Sequence, residues 1–232
     1  MIVAISPRRI TRFLIYVIAA LIMASIAGQV LNFHLGYSHV KGFVPLFFVD
    51  NEANVPAWYS SVTLLLCAIL LAVIGTAKRQ EGARFAGHWS ALAVIFLFLS
   101  VDEAAGIHEL PIEPLKAAGI GGGFLYFPWV ILGMAFVLVV GLAYLKFLFD
   151  LPVKTRVHFL GAAILYIGGA VGMEMIGGRY ADAYGTKNFP FTMLVTGEEL
   201  MEMLGVLLFI RALLDYLASH CPSIQIRIAD NQ

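Results

Sequence analysis

Six long apolar runs dominate this sequence and restrict what it can fold into. They lie at about 12–33, 56–77, 87–109, 124–148, 156–178 and 192–217. Each holds roughly 20 residues, the length at which an α-helix crosses about 30 Å of hydrocarbon. Because 60% of all residues are hydrophobic and only 13% are charged, the composition differs from that of ordinary soluble domains. The sequence therefore predicts an all-α, polytopic membrane protein, a six-transmembrane-helix bundle.

The connectors between these runs are short, and they are polar or contain Gly and Pro. None is long enough to join two domains, so we expect residues 1–232 to form a single integral-membrane domain. Arg8, Arg9 and Arg12, followed by the first apolar run, also fit the start of a secretory signal peptide. The run continues through Val30 and Leu31, however, so a first transmembrane helix is the preferred interpretation.

The positive charges alternate from connector to connector and so predict an orientation. Eleven lie on one side, namely Arg8, Arg9, Arg12, Lys78, Arg79, Arg84, Lys146, Lys154, Arg156, Arg211 and Arg227. The other side has four, Lys41, Lys116, Arg179 and Lys187. Because Lys and Arg concentrate on the cytoplasmic side, we expect both termini there, in a multi-pass protein of the inner or plasma membrane. Without a broad basic face, the chain has no expected nucleic-acid partner, and membrane lipids are its expected surroundings.

Carboxylates interrupt three of the predicted helices. They are Asp102 and Glu103, followed by His108 and Glu109, in the third run; Glu174 in the fifth; and Glu198, Glu199 and Glu202 in the sixth. A carboxylate in hydrocarbon costs several kcal/mol unless it is paired, protonated or bound to a cation. With a rise of ~1.5 Å per residue, and helices that alternate in direction, all three groups fall in the outer part of the bilayer. This common depth predicts a shared site near the outer leaflet.

Helical geometry indicates which acids can act together. At about 100° per residue, Glu198, Glu202 and Glu199 lie at roughly 0°, 40° and 100° and share one face of the last helix. Like charges this close cannot all ionise without a counter-ion. In the fifth run, Gly168 and Gly172 have the small-x-x-x-small spacing that lets helices approach closely, which would bring Glu174 toward the other acids.

Mixed carboxylate and imidazole ligation is typical of divalent iron, manganese and zinc. We expect Glu103, His108, Glu174, Glu199 and Glu202 to bind such a metal, with iron preferred. Asp102 and His108 are the expected catalytic residues, His108 as ligand or general acid/base and Asp102 as a supporting group or proton relay. The predicted function is a metal-dependent enzyme that acts on a lipophilic substrate, and redox chemistry is preferred to hydrolysis because carboxylates outnumber imidazoles.

Several residues have plainer interpretations. The sequence Thr196-Gly197-Glu198-Glu199 matches a capping box, so the last helix could instead begin near Gly197. His108 and Glu109 could be solvated residues of the interface. Asp50 and Glu52, in the first outer connector, could cover the site or be residues of a solvated loop. Methionines flank Glu174 and Glu202 on both sides, which would suit copper(I), but residues two apart on a helix face different ways.

Two other functions fit the same acids. A proton or cation translocator would use them as titrating groups, and a metal-holding or sensor protein would use them without turnover. The inner halves of the helices contain no charged residue at 91–99, 159–165 and 204–210. A transport path needs polar groups or broken helices through the whole membrane, so translocation ranks below an enzyme. The oligomeric state is left open.

Overall fold

The structure is a computed structural model that describes residues 6–221. Its α-helices are α1 Pro7–Leu35, α2 Phe43–Phe47, α3 Val55–Gln80, α4 Ala86–Ala105, α5 Ile112–Ala117, α6 Val130–Asp150, α7 Val153–Ile167, α8 Glu174–Tyr184 and α9 Phe189–His220. No β-strand occurs among residues 6–221, so the predicted all-α class is confirmed. Arg227, counted above among the cytoplasmic charges, lies outside the described residues.

Five helical segments are long and apolar enough to cross a membrane. They are α1, α3, α4, α6 and the segment Val153–Tyr184, which contains α7 and α8. Large apolar side chains such as Leu138, Val139 and Ile164 point outward with 62–70% of their surface exposed. Such a surface is unfavourable in water but suits contact with lipid. The chain is therefore a helical protein with several candidate membrane spans.

Asparagine caps fix where two long helices begin. The side chain of Asn54 accepts a hydrogen bond from the amide of Ala57 at 3.0 Å, and Asn188 accepts one from the amide of Phe191 at 3.0 Å. Each cap satisfies a backbone donor that has no partner within the helix. Because α9 already begins at Phe189, the capping-box start near Gly197 is wrong.

Two predicted helices are shorter in the structure than the sequence predicts. The run predicted at 87–109 ends at Ala105, where Gly106 adopts a left-handed conformation with φ of 57°, and residues 107–109 form a separate 3₁₀ turn. Glycine tolerates this conformation because it has no Cβ. The run predicted at 124–148 becomes helical only at Val130, after a 3₁₀ turn at Gly123–Leu125.

A π-helical segment, Gly168–Met173, joins α7 to α8. In a π turn each amide bonds one residue further back than in an α-helix, which changes the faces of the residues that follow. Glu174 comes directly after this segment. The direction of its side chain therefore depends on a local distortion that the apolar pattern does not encode.

Helix α9 forms the centre of the bundle and packs against α1, α3, α7, α8 and the π segment. Two glycines allow its closest approaches. A Cβ at Gly205 would lie 2.7 Å from the amide nitrogen of Tyr166, and one at Gly169 would lie 2.8 Å from the carbonyl oxygen of Glu198. A Cβ at Gly172 would meet no atom within 4 Å. The predicted close approach is therefore wrong for Gly172 only, since a Cβ at Gly168 would lie 3.0 Å from Cε of Met201 on α9.

Candidate functional site

A cavity of about 480 Å³ lies between α4, α6, α9 and the segment from α7 to α8. One end of it, the acid end, is lined by Asp102, Glu103, Glu174, Glu198, Glu199 and Glu202, which we call the acid cluster. His108 and Glu109 line the same end. The structure thus brings every residue named as a candidate site residue in the sequence to the wall of one cavity.

The rest of the cavity is apolar. Its lining toward the other end consists of side chains such as Leu92, Phe96, Phe147, Phe159 and Phe209. Along α9 the lining extends from Val195 to Phe209, about 20 Å at the usual rise of an α-helix. Phe209 stacks on Phe96 and contacts Phe159, with 4.7 Å between ring centroids in both pairs. These aromatic rings form the wall of this apolar end.

Asp102 holds His108 in a fixed orientation. One carboxylate oxygen of Asp102 accepts a hydrogen bond from the backbone amide of His108 at 2.7 Å, and the other lies 3.0 Å from Nδ1 of its ring. The break at Gly106 makes this contact possible because it turns residues 107–109 back over the end of α4. With Nδ1 bound to Asp102, Nε2 is the ring nitrogen left for a metal ion or a proton.

Trp129 is a residue of this site that the sequence analysis missed. Its indole Nε1 donates a hydrogen bond to Glu174 at 2.8 Å, and its ring lies 4.8 Å from the ring of His108. The tryptophan therefore links the acid of α8 to the imidazole that follows α4. The only signal in the sequence is its position near the start of the fourth apolar run, where an interfacial aromatic residue is equally expected.

The carboxylates of α9 share one end of the cavity with acids of two other helices. Glu198, Glu199 and Glu202 line it together with Glu103 of α4 and Glu174 of α8. The acids of three helices thus form one electrostatic group, which needs a bound cation or protons to balance its charge.

A family model described as "Domain of unknown function (DUF8692)" matches residues 13–217. The chain belongs to the DUF8692 family. The matched DUF8692 region includes the whole acid cluster, His108 and Trp129. No curated protein and no solved structure matches the chain.

A loop between α2 and α3 borders the mouth of the cavity in this DUF8692 chain. Asp50 and Glu52 both line the cavity while remaining exposed to solvent, so they are loop residues that also belong to the site. A Cβ on Gly106 would collide with the carboxylate of Glu52. The pKa of Asp50 is raised to about 6, first by the protein that surrounds its carboxylate and then by the negative charge of Glu109.

The side chains are not arranged as a formed metal site. Among residues 6–221, no three His, Cys, Asp or Glu side chains converge in a way that could hold an ion. The acids surround a common space, but coordination by three or more of them requires changes of rotamer. Glutamate has the rotatable bonds for such changes, since its carboxylate is separated from the backbone by two methylene groups. Without a metal, the arrangement offers carboxylates and one oriented imidazole for accepting hydrogen bonds and for proton transfer.

Proposed function

We propose that the chain is a metal-dependent membrane enzyme that acts on a lipophilic substrate. The observation that carries this proposal is the two-part cavity, in which the acid cluster and His108 form one end and apolar side chains form the remainder. Enzyme and ligand sites are commonly apolar cavities with a few convergent polar groups. Acids that are costly in a membrane are then accounted for by the cation they bind.

In this proposal Glu103, His108, Glu174, Glu199 and Glu202 provide the metal ligands, and iron is preferred to manganese or zinc. Iron would supply redox chemistry with dioxygen as the oxidant, whereas zinc would supply hydrolysis. Asp102 acts through His108, because its two hydrogen bonds hold the residue in place and leave Nε2 as the ring nitrogen for the metal. Trp129 has the same role for Glu174, whose carboxylate it restrains with a single hydrogen bond.

The proposal includes six membrane spans, with α9 as the sixth, and both termini on the cytoplasmic side of an inner or plasma membrane. Lys78 supports this arrangement: it donates a hydrogen bond to the carbonyl oxygen of His220 at 3.3 Å, so α3 and α9 end together. Arg79 lies in the last turn of α3 and Arg84 in the connector that follows it. Nζ of Lys154, at the start of α7, lies 3.9 Å from the carboxylate of Asp215 near the end of α9, which also supports the arrangement. The acid end of the cavity would then face the outer leaflet.

Elemental analysis of purified protein tests the metal. Protein prepared without chelator and offered iron, manganese and zinc in turn is expected to retain about one or two ions per chain. Glu174→Ala should lose most of this metal, because a ligand and the partner of Trp129 are removed together. Glu113→Ala is the matched control, since Glu113 is an exposed acid of α5 outside the cavity. Wild-type protein that binds none of the three metals would contradict the proposal.

Asp102→Asn tests the role of His108. An asparagine amide in this position offers a donor to Nδ1 and so disfavours the tautomer with a proton on Nδ1. Loss of such a supporting partner typically weakens metal affinity about 10–100-fold, and we expect a loss of that size in a competition titration with a chelator. Asp182→Asn, on the exposed side of α8, should have no effect. An unchanged affinity in Asp102→Asn would contradict the supporting role of Asp102.

Proton or cation translocation is the second candidate function. The closely spaced acids of α4, α8 and α9 favour it, because such groups can exchange protons. The apolar lining between the acid cluster and Phe147 disfavours it, since an ion path needs polar groups through the membrane. A metal-holding or sensor role would use the same residues without turnover.

A further inference from the structure

We infer that the cavity takes a single-chain amphiphilic lipid with a neutral or cationic head, which enters sideways from the membrane between α4 and α6. Its head lies at the acid cluster and its chain runs toward Phe147 and Phe209. This inference rests on the proposed function for the chemistry of the head only. The binding of the lipid's hydrocarbon chain depends on the apolar part of the cavity.

Helix α6 forms the side of the cavity that faces the surrounding lipid. Within this helix only Val130, at one end, and Phe147, near the other, are buried. The residues between them include Val137, Val140 and Gly141, which line the cavity. Leu138 and Leu142, on the opposite face, are each 62% exposed. The middle of α6 therefore has the cavity on one side and lipid on the other, with no buried residue between Val130 and Phe147.

Side-chain contacts join α6 to α4 and the turn after it near the two ends of the cavity. At the acid end, Trp129 packs against His108 at 4.8 Å. At the apolar end, the hydroxyl of Tyr144 donates to the carbonyl oxygen of His88 at 2.9 Å, and Phe147 packs edge-on against Trp89 at 5.0 Å. Between the contacts at the two ends, α4 and α6 both line the cavity. A slot between these two helices would connect the cavity to the bilayer.

The borders of this slot are suited to a lipid chain. On α4, Val94, Phe98 and Val101 expose 49–65% of their surface beside residues that line the cavity. These apolar side chains would be in contact with acyl chains, so a lipid chain could pass between the helices without contact with water. A lipid of the leaflet on the acid side already has its head at that end and its chain directed toward the bilayer centre, so it would enter without turning over.

Size and charge restrict the class of lipid. A volume of about 480 Å³ lies within the usual range for one small-molecule ligand, and the depth of about 20 Å along α9 suits one extended chain. At the acid end, the carboxylates accept hydrogen bonds and attract cations but repel anions. A long-chain alcohol or amine therefore fits better than a lipid with a phosphate head.

The experiment uses a photoreactive probe, a long-chain alcohol with a diazirine near the end of its chain. Irradiation with the full-length protein in nanodiscs is expected to label residues of the apolar end, such as Phe96 and Phe209. Gly141→Trp should reduce this labelling at least about tenfold, because the indole occupies the space in which the chain is buried. A Cβ at Gly141 would meet no atom within 4 Å, and replacing a glycine within a helix favours the helix, so the variant should fold.

Leu142→Trp is the matched control, since the same indole on the next residue faces lipid, and it should label like the wild type. A probe with the same chain and a phosphate head should label less than the alcohol. Equal labelling of both tryptophan variants, or labelling only of the outer surface, would overturn the inference. Metal content separates this result from the proposed function. Labelling of the cavity without bound metal would support the lipid site but not the metal-dependent enzyme. Bound metal without labelling of the cavity would overturn the lipid site but not the metal-dependent enzyme.

Discussion

Replacing Gly205 with leucine is expected to separate α7 from α9 and to prevent most of the protein from folding. A Cβ at this position would lie 2.7 Å from the amide nitrogen of Tyr166 and 3.0 Å from the carbonyl oxygen of Ala162. Both are backbone atoms of a regular helix and cannot rotate away as a side chain can. Overpacking costs about 1–3 kcal/mol in adaptable sites. A larger loss is expected here because small residues provide the close contact between membrane helices.

Two alanine variants give the matched comparison. Gly205→Ala and Gly172→Ala make the same chemical change in neighbouring elements, but a Cβ at Gly172 would meet no atom within 4 Å. Gly172→Ala should keep or slightly raise the melting temperature in detergent, because alanine favours helix over glycine by about 1 kcal/mol. Gly205→Ala should lower the melting temperature, and Gly205→Leu should elute as aggregate in size-exclusion chromatography. Equal melting temperatures for the two alanine variants would contradict the close packing of α7 on α9.

The candidate membrane spans were predictable because the sequence feature that marks them is only the length of an apolar run. Five of the six predicted apolar runs correspond to segments that are long and apolar enough to cross a membrane. The meeting of Asp102, Glu174 and Glu202 at one cavity was expected from the constant rise of a helix, and it required no knowledge of packing. The shared face of Glu198 and Glu202 followed in the same way from the helical period.

The way in which the helices face each other was not predictable, since it depends on local distortions. The π segment at Gly168–Met173 changes the face on which Glu174 lies, and one residue more in a turn amounts to about 100° of rotation. The break at Gly106 likewise moves His108 off the helix surface and onto Asp102. Neither change alters the apolar pattern, so hydropathy gives no sign of it.

Contacts between distant segments were also beyond the sequence. Trp129 meets Glu174 across 45 positions of the chain. For Asp50 and Glu52 the sequence left open a position over the site or a solvated loop, and the structure places them at the cavity mouth. Among several glycines of similar spacing, only packing decides that Gly169 and not Gly172 contacts α9. The sequence identified which residues are costly in a membrane, while the three-dimensional arrangement identified their neighbours.

Glu202→Gln is expected to abolish metal binding while the protein remains folded. Glu202 lies on α9 and lines the cavity together with Glu103 of α4 and Glu174 of α8. Glutamine keeps the length of the side chain but removes the negative charge of a proposed ligand. The loss of affinity should exceed the roughly 100-fold that follows removal of a supporting partner. Elemental analysis and a chelator titration measure this loss, with Glu113→Gln as the control.

Glu202→Gln also distinguishes a metal-dependent enzyme from a translocator. A carboxylate that serves only a site costs stability in a membrane, whereas a bound metal adds stability. With metal removed from both proteins, Glu202→Gln should therefore melt at the same or a higher temperature than the wild type. If the acids instead hold the fold together, the metal-free variant should melt below the metal-free wild type, which would contradict a role in binding. If the protein is a translocator, the variant should lose proton or cation flux in liposomes while the metal content of both proteins stays near zero. Loss of metal together with retained folding would support the metal-dependent enzyme, because flux requires no bound metal whereas the proposed chemistry does.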